Sequence, residues 1–271
     1  MKIMKFKKNM KKTLILITIF FLNFFIPNSI EASIKDDAKM IKTNSIKANS
    51  GHRDQDNNLI EAYKAEYLFE NDKVSVTGIR EFKTNNGKAS ITFNAKTRIV
   101  KLFFESTFNV IDNQVFSEKY LVTMRALLIK RNYLIKYGRG NGVIESSGEN
   151  EWQITHKLDL RVLDPLNAQI QMRINVKKMV DTNDFSPFEI VLQDIKDGEI
   201  EINTYKFSRY DNYEFDNETY NSIVIERVRD EDSRITEYYL VPELGYLIVE
   251  VIDKKESSTE KLKLQKILSL G

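Results

Sequence analysis

The chain has 271 residues, enough for one large domain or two small ones, and 42% hydrophobic with 30% charged residues is an ordinary globular balance. It contains no cysteine, which excludes disulfides, thiolate metal sites, a cysteine nucleophile and the lipid-bearing N-terminal Cys of a bacterial lipoprotein. Of the formal charge of +2, residues 1–32 contribute +5 through six Lys and one Glu, so the remainder is −3 and nothing suggests a nucleic-acid binder.

Those first 32 residues read as a secretory signal. Lys2, Lys5, Lys7, Lys8, Lys11 and Lys12 precede an apolar run of 13 residues, from 14 to 26. Pro27 and polar residues follow, then Ala32, a small residue suited to the position before a cleavage site. A spanning helix needs ~20 apolar residues, so cleavage near Ser33 is preferred over a retained anchor. Export of a cysteine-free chain points to a bacterial periplasm, with no stable membrane span left after cleavage. Residues 33–60 are rich in Lys, Asp, Asn and Ser, cannot bury enough surface to offset their ordering entropy, and are expected to be a flexible lead. A single β-rich domain should occupy residues 61–271.

Its first strand is marked by Tyr63, Ala65, Tyr67 and Phe69 alternating with Lys64, Glu66, Leu68 and Glu70, the period of a half-buried strand. A second strand covers residues 74–83, and Asn85-Asn86-Gly87 is a hairpin signal, because Asn-Gly tolerates positive φ. The returning strand carries Ala89, Ile91, Phe93 and Ala95 on one face. Residues 102–111 follow, with Leu102, Phe104, Phe108 and Val110 at even spacing, and Asp112-Asn113 ends them. Residues 116–129 alternate poorly and are assigned to strand over helix. Residues 133–137 lead into Gly138-Arg-Gly-Asn-Gly142, then a strand at 143–145, a turn at 147–150 and a strand around Trp152 and Ile154.

One helix stands out. Asp164 is a good N-cap and Pro165 suits the first helical position. Leu166, Ile170 and Ile174 then recur every fourth residue, with Arg173, Lys177 and Lys178 placed late, where cations favour the helix dipole. The helix should stop before residue 181. Strands are then expected at 188–195, at 199–207 after a turn at Asp197-Gly198, and near 210–215, with a polar turn at 216–221. Residues 223–252 form the most legible unit: a strand at 223–229, a polar turn at 230–233, and two Ile-, Val- and Tyr-rich strands folded about Pro242 and Gly245. Pro242 fixes φ and Gly245 supplies a conformation other residues avoid. Residues 260–267 alternate cleanly and close the chain. The predicted fold is mainly β: an antiparallel, open or half-closed β-barrel with one inserted α-helix.

In this order the chain resembles a family of exported bacterial proteins, catalogued as domain of unknown function 3108. Four segments carry the resemblance: Tyr63-Lys-Ala-Glu-Tyr, Leu163-Asp-Pro-Leu-Asn-Ala-Gln-Ile-Gln-Met-Arg173, Tyr213-Glu214-Phe215, and Tyr239-Leu-Val-Pro-Glu-Leu-Gly-Tyr-Leu-Ile-Val249. Asn167 stands where the family usually has Ser, Tyr239 where it has Trp, and Ile248 where it has a second Pro. The resemblance spans residues 63–267 and implies a periplasmic β-rich domain similar to the half-barrels that carry lipoproteins. It carries over no catalytic residue.

A direct search for chemistry is mostly negative. The two His, His52 and His156, have no evident partner, and two His without Cys make a poor zinc site. A phosphate cradle at 138–142 would need a helix straight after the glycines, where the residues read as strand. Asp164 is explained by capping. Glu214, between Tyr213 and Phe215, is expected to accept backbone hydrogen bonds in a turn, with Arg173 pairing such a carboxylate inside the fold. No catalytic residue, cofactor or metal is expected.

The 16 Phe and 12 Tyr fit either core filling or a greasy concave surface. The surface reading names Tyr67, Phe69, Phe93, Phe104 and Phe108 as the lining, with Leu166, Ile170 and Ile174 of the helix facing them as plug or lid. The leading expectation is a non-catalytic binder of a lipid or another amphiphile of the cell envelope. The alternative is a structural or scaffolding protein with a self-filled core. Neither the ligand nor the oligomeric state can be read from the sequence.

Overall fold

A computed structural model describes residues 60–72, 74–85, 87–98, 100–126, 129–138, 140–229 and 233–271. The expected signal, all but the last residue of the lead, and His52 lie outside the described residues. Ile60 is buried in the core. Among the described residues no helix is long and apolar enough to cross a membrane.

Among the described residues fifteen strands form one sheet: β1 Tyr63–Asn71, β2 Val74–Asn85, β3 Lys88–Lys96, β4 Val100–Ile111, β5 Gln114–Ala126, β6 Ile129–Tyr137, β7 Val143–Gly148, β8 Trp152–Thr155, β9 Val162–Leu163, β10 Phe188–Gln193, β11 Ile200–Phe215, β12 Glu218–Arg227, β13 Ile235–Val241, β14 Leu247–Lys255 and β15 Ser258–Leu270. The order across the sheet is β8-β7-β6-β5-β4-β3-β2-β1-β15-β14-β13-β12-β11-β10-β9. The first and last strands therefore pair in its middle, from Tyr63 opposite Leu270 to Glu70 opposite Lys261. Every pairing is antiparallel except that of β9 with β10, where the connection carries the single α-helix of the described residues, α1 Asn167–Thr182.

The sheet curls around α1. The hydroxyl of Tyr137 in β6 donates to Gln193 Oε1 in β10 at 2.9 Å, and Ser117 Oγ in β5 donates to the carbonyl of Val162 in β9 at 2.9 Å. Trp152 Nε1 in β8 donates to the carbonyl of Ile195 at 3.3 Å, while Asn150 Nδ2 reaches that of Lys196. The two edge strands β8 and β9 do not pair with each other. This is the expected open barrel with one helix. Its core is the concave side, where inward positions of the strands meet the helix.

Positive φ falls where turns demand it. Asp112 and Asn113 take φ of 49° and 66°, and Asp216 and Asn217 take 53° and 63°, so both hairpins turn in two residues. Several expected boundaries are corrected. Strands expected at 199–207 and 210–215 are one, β11, because Ser208 is absorbed by a bulge between Phe207 and Arg209 while pairing with β12 continues. The polar turn at 216–221 shrinks to two residues, and residues 147–148 belong to β7. Ile129 starts β6, and the two-residue β9 had no sequence signal, since two residues show no period. The helix runs on to Thr182, so Lys177 and Lys178 lie before its last turn. Asn183 ends it at φ 50°, with Asn183 N donating to Val180 O and Asp184 N to Met179 O.

Candidate functional site

The eight residues named as a lining do converge, but upon one another. Tyr67, Phe69, Phe93, Phe104, Phe108, Leu166, Ile170 and Ile174 are each at most 4% exposed. Phe93 stacks on Phe104 at 5.9 Å between ring centroids, and Phe82 on Phe108 at 6.3 Å. Ile170 and Ile174, at 0% and 1% exposed, fill the space an open groove would need. The concave face is occupied by the protein's own helix.

A run of apolar contacts alone would leave α1 free to slide. Polar side chains on both flanks of that stripe fix it, and they carry no apolar signature in the sequence. Asn167, Gln169, Gln171 and Arg173 are also buried, one on each second position of the helix. Asn167 Nδ2 donates to Ser117 Oγ of β5 at 2.9 Å, and Gln169 Oε1 accepts from Arg80 Nη1 of β2. Gln171 Oε1 accepts the backbone N–H of Val115 at 2.8 Å, while its Nε2 donates to the carbonyl of Asn113 at 3.3 Å. Arg173 Nη2 donates to the carbonyls of Gly245, at 2.7 Å, and Glu61, at 3.2 Å. Buried polar groups are costly unless bonded, so each of these bonds specifies one position of the helix against the sheet.

Arg173 corrects two expectations. It sits mid-helix, far from the C-terminal carbonyls, and it pairs with carbonyls and rings in place of a carboxylate. Its guanidinium carbon lies 4.9 Å from the ring centroid of Tyr63 and 5.8 Å from that of Phe82. The carbonyl at Gly245 is presented by the turn that Pro242 and Gly245 make. Pro242–Leu244 form a single 3₁₀ turn, and Gly245 takes φ 63°, ψ 35°. A Cβ there would lie 3.2 Å from Glu61 Oε2.

Asp164 is wholly buried and does cap, though the regular helix begins three residues later. Its Oδ1 accepts the N–H of Leu166 at 2.9 Å and of Asn167 at 3.0 Å, and its carbonyl accepts the N–H of Ala168. Pro165 and Leu166 form the turn that leads in. The other oxygen, Oδ2, accepts from Ser106 Oγ of β4 at 2.6 Å. No cation faces this carboxyl in the ion pairs of the described residues. Burial pushes its pKa up to about 7, against the bonds from Ser106, Asn167 and Leu166, which pull it down.

The remaining candidates stay apart. Glu214 is exposed and accepts from Thr219 Oγ1 at 3.0 Å across the β11–β12 hairpin, not from backbone N–H groups. His156 is half-buried, with Nδ1 2.8 Å from the carbonyl of Lys157. The glycine-rich segment links β6 to β7 with no helix after it. Among the described residues no group of three His, Cys, Asp or Glu is placed to hold a metal.

A second polar cluster, which the sequence reading missed, sits between β11, β12, β13 and β14. Arg234 grips Asp253 through Nη2 at 2.6 Å and Nε at 2.8 Å, and Thr236 Oγ1 joins the same carboxylate at 3.0 Å. Arg227 Nη2 pairs with Glu201 at 2.9 Å, and Arg229 Nη1 donates to Thr236 Oγ1 at 2.9 Å. Burial, then Arg227 and Arg234, bring the Arg229 pKa down to about 10. The partners lie on or beside different strands, so no local pattern in the sequence marks the cluster.

Comparison of the chain with protein-family models and with curated proteins finds no match.

Proposed function

We propose that this protein is a non-catalytic structural or scaffolding protein of the cell envelope, its interior closed by its own helix, acting through its outer surface. One observation carries this reading: the polar residues of α1 are hydrogen-bonded one by one to β2, β5, the β4–β5 turn and the turn after β13. A lid that must leave for an acyl chain to enter would have to break all of these together, leaving buried donors unpaired. The envelope part of the proposal rests on the lysine-rich, short apolar start of the chain. The absence of enzymatic activity is inferred from a site built of capping, packing and positioning groups, in which the Ser106–Asp164 hydroxyl–carboxyl pair is wholly buried, out of reach of a substrate.

Native mass spectrometry of protein purified gently from its host, followed by a fluorescent fatty-acyl probe, tests the reading. The chain mass alone and no probe uptake are expected. A bound amphiphile, or probe uptake that rises in Ile170→Ala but not in Lys177→Ala, would restore the amphiphile binder.

A further inference from the structure

The outer face of the sheet carries a cationic row that the folding argument does not use. Lys96 of β3 lies opposite Lys101 of β4, Lys101 opposite Arg125 of β5, and Arg125 opposite Lys130 of β6. All four are exposed, and the residues alternating with the first three, Ala95, Leu102 and Met124, are buried. With neighbouring strands about 4.8 Å apart, the row runs straight for roughly 15 Å. None of the four takes part in an ion pair among the described residues. Glu105, the acid on that face of β4, is held by Lys119 at 3.1 Å. Like charges set directly opposite one another destabilise a sheet, so this row costs the fold something and gives it nothing.

Beside the row lies a shallow depression of about 220 Å³, lined by Asn94, Phe103 and Thr123 together with Lys96, Lys101 and Arg125. Phe103, Leu121 and Leu134 are half-buried on this face, and Ile79 is 37% exposed. A line of cations bordering half-exposed apolar side chains on a broad sheet matches a plane of anionic head groups over an acyl boundary. A single soluble anion would engage one or two of the cations and none of the apolar residues. We infer that the outer face of β3–β6 docks on an anionic lipid surface. This stands apart from the filled interior and does not depend on it.

The test is co-sedimentation of the full chain with vesicles of phosphatidylcholine containing phosphatidylglycerol, and with phosphatidylcholine alone. The wild type should bind the first, not the second. Lys101→Gln with Arg125→Gln should weaken that binding roughly tenfold or more, and should keep or raise the melting temperature because repulsion is relieved. Lys263→Gln with Lys266→Gln, the same charge change elsewhere on the sheet, should bind as the wild type does. Equal binding by the Lys101/Arg125 variant, an equal loss in the Lys263/Lys266 variant, or no binding by the wild type would each overturn the proposal.

Discussion

Asp164 shows how one buried carboxyl ties local structure to stability. Its folded pKa is raised, to about 7, while the unfolded chain ionises it in the ordinary carboxylate range. Between those values the folded state holds a proton that the unfolded state has released, so stability falls as pH rises through that window and levels off above it. Below the window both states are protonated and the group makes no difference. Chemical denaturation should therefore show a chain more stable near about pH 5 than near about pH 8. Asp164→Asn keeps an oxygen for the N–H groups of Leu166 and Asn167 and removes the titration. It should shrink that drop, by up to roughly 3 kcal/mol between those two pH values. An unchanged pH profile in Asp164→Asn would mean that the carboxyl is hydrated or paired in solution.

Among the elements, α1 and the β13–β14 turn carry the fold's specificity. Ile170→Ala opens a cavity at a position with no exposure and should cost about 2–5 kcal/mol in urea unfolding. A cost below about 1 kcal/mol would mean that the site collapses or is already open. Gly245 holds φ 63° while its carbonyl receives Arg173, so Gly245→Val should destabilise by about 1–3 kcal/mol through backbone strain. A melting temperature equal to the wild type's would contradict that role. These elements also show what was legible in the sequence. The alternation along β1, β3 and β4, the apolar stripe of α1 and the Pro242–Gly245 turn are local patterns and were read correctly. Gln169 and Gln171 gave no signal in the sequence and Arg173 suggested a carboxylate partner, because the true partners Arg80, Val115 and Gly245 are distant in sequence. The same limit hid the Arg234–Asp253 pair and the row from Lys96 to Lys130, which exist only once strand register is set. That the lining residues would meet the helix was legible; whether the helix would leave a groove or fill the core was left between two readings.

At the scale of the whole molecule, the pairing of β1 with β15 joins the described ends of the chain in the middle of the sheet, and α1 is the single body that both arms of the sheet hold. Arg80 of β2 and Ser117 of β5 hold it from one arm, and the carbonyl of Gly245 after β13 holds it from the other. The helix can therefore leave only when the sheet comes apart. Native-state hydrogen exchange across residues 170–176 measures this directly. A filled scaffold predicts that these amides exchange only through global unfolding, with the same opening free energy as the central strands β1 and β15. Exchange of the helix amides through a lower-energy opening, with the amides of β1 and β15 still protected, would show a helix that lifts out of an intact half-barrel and would contradict the closed interior.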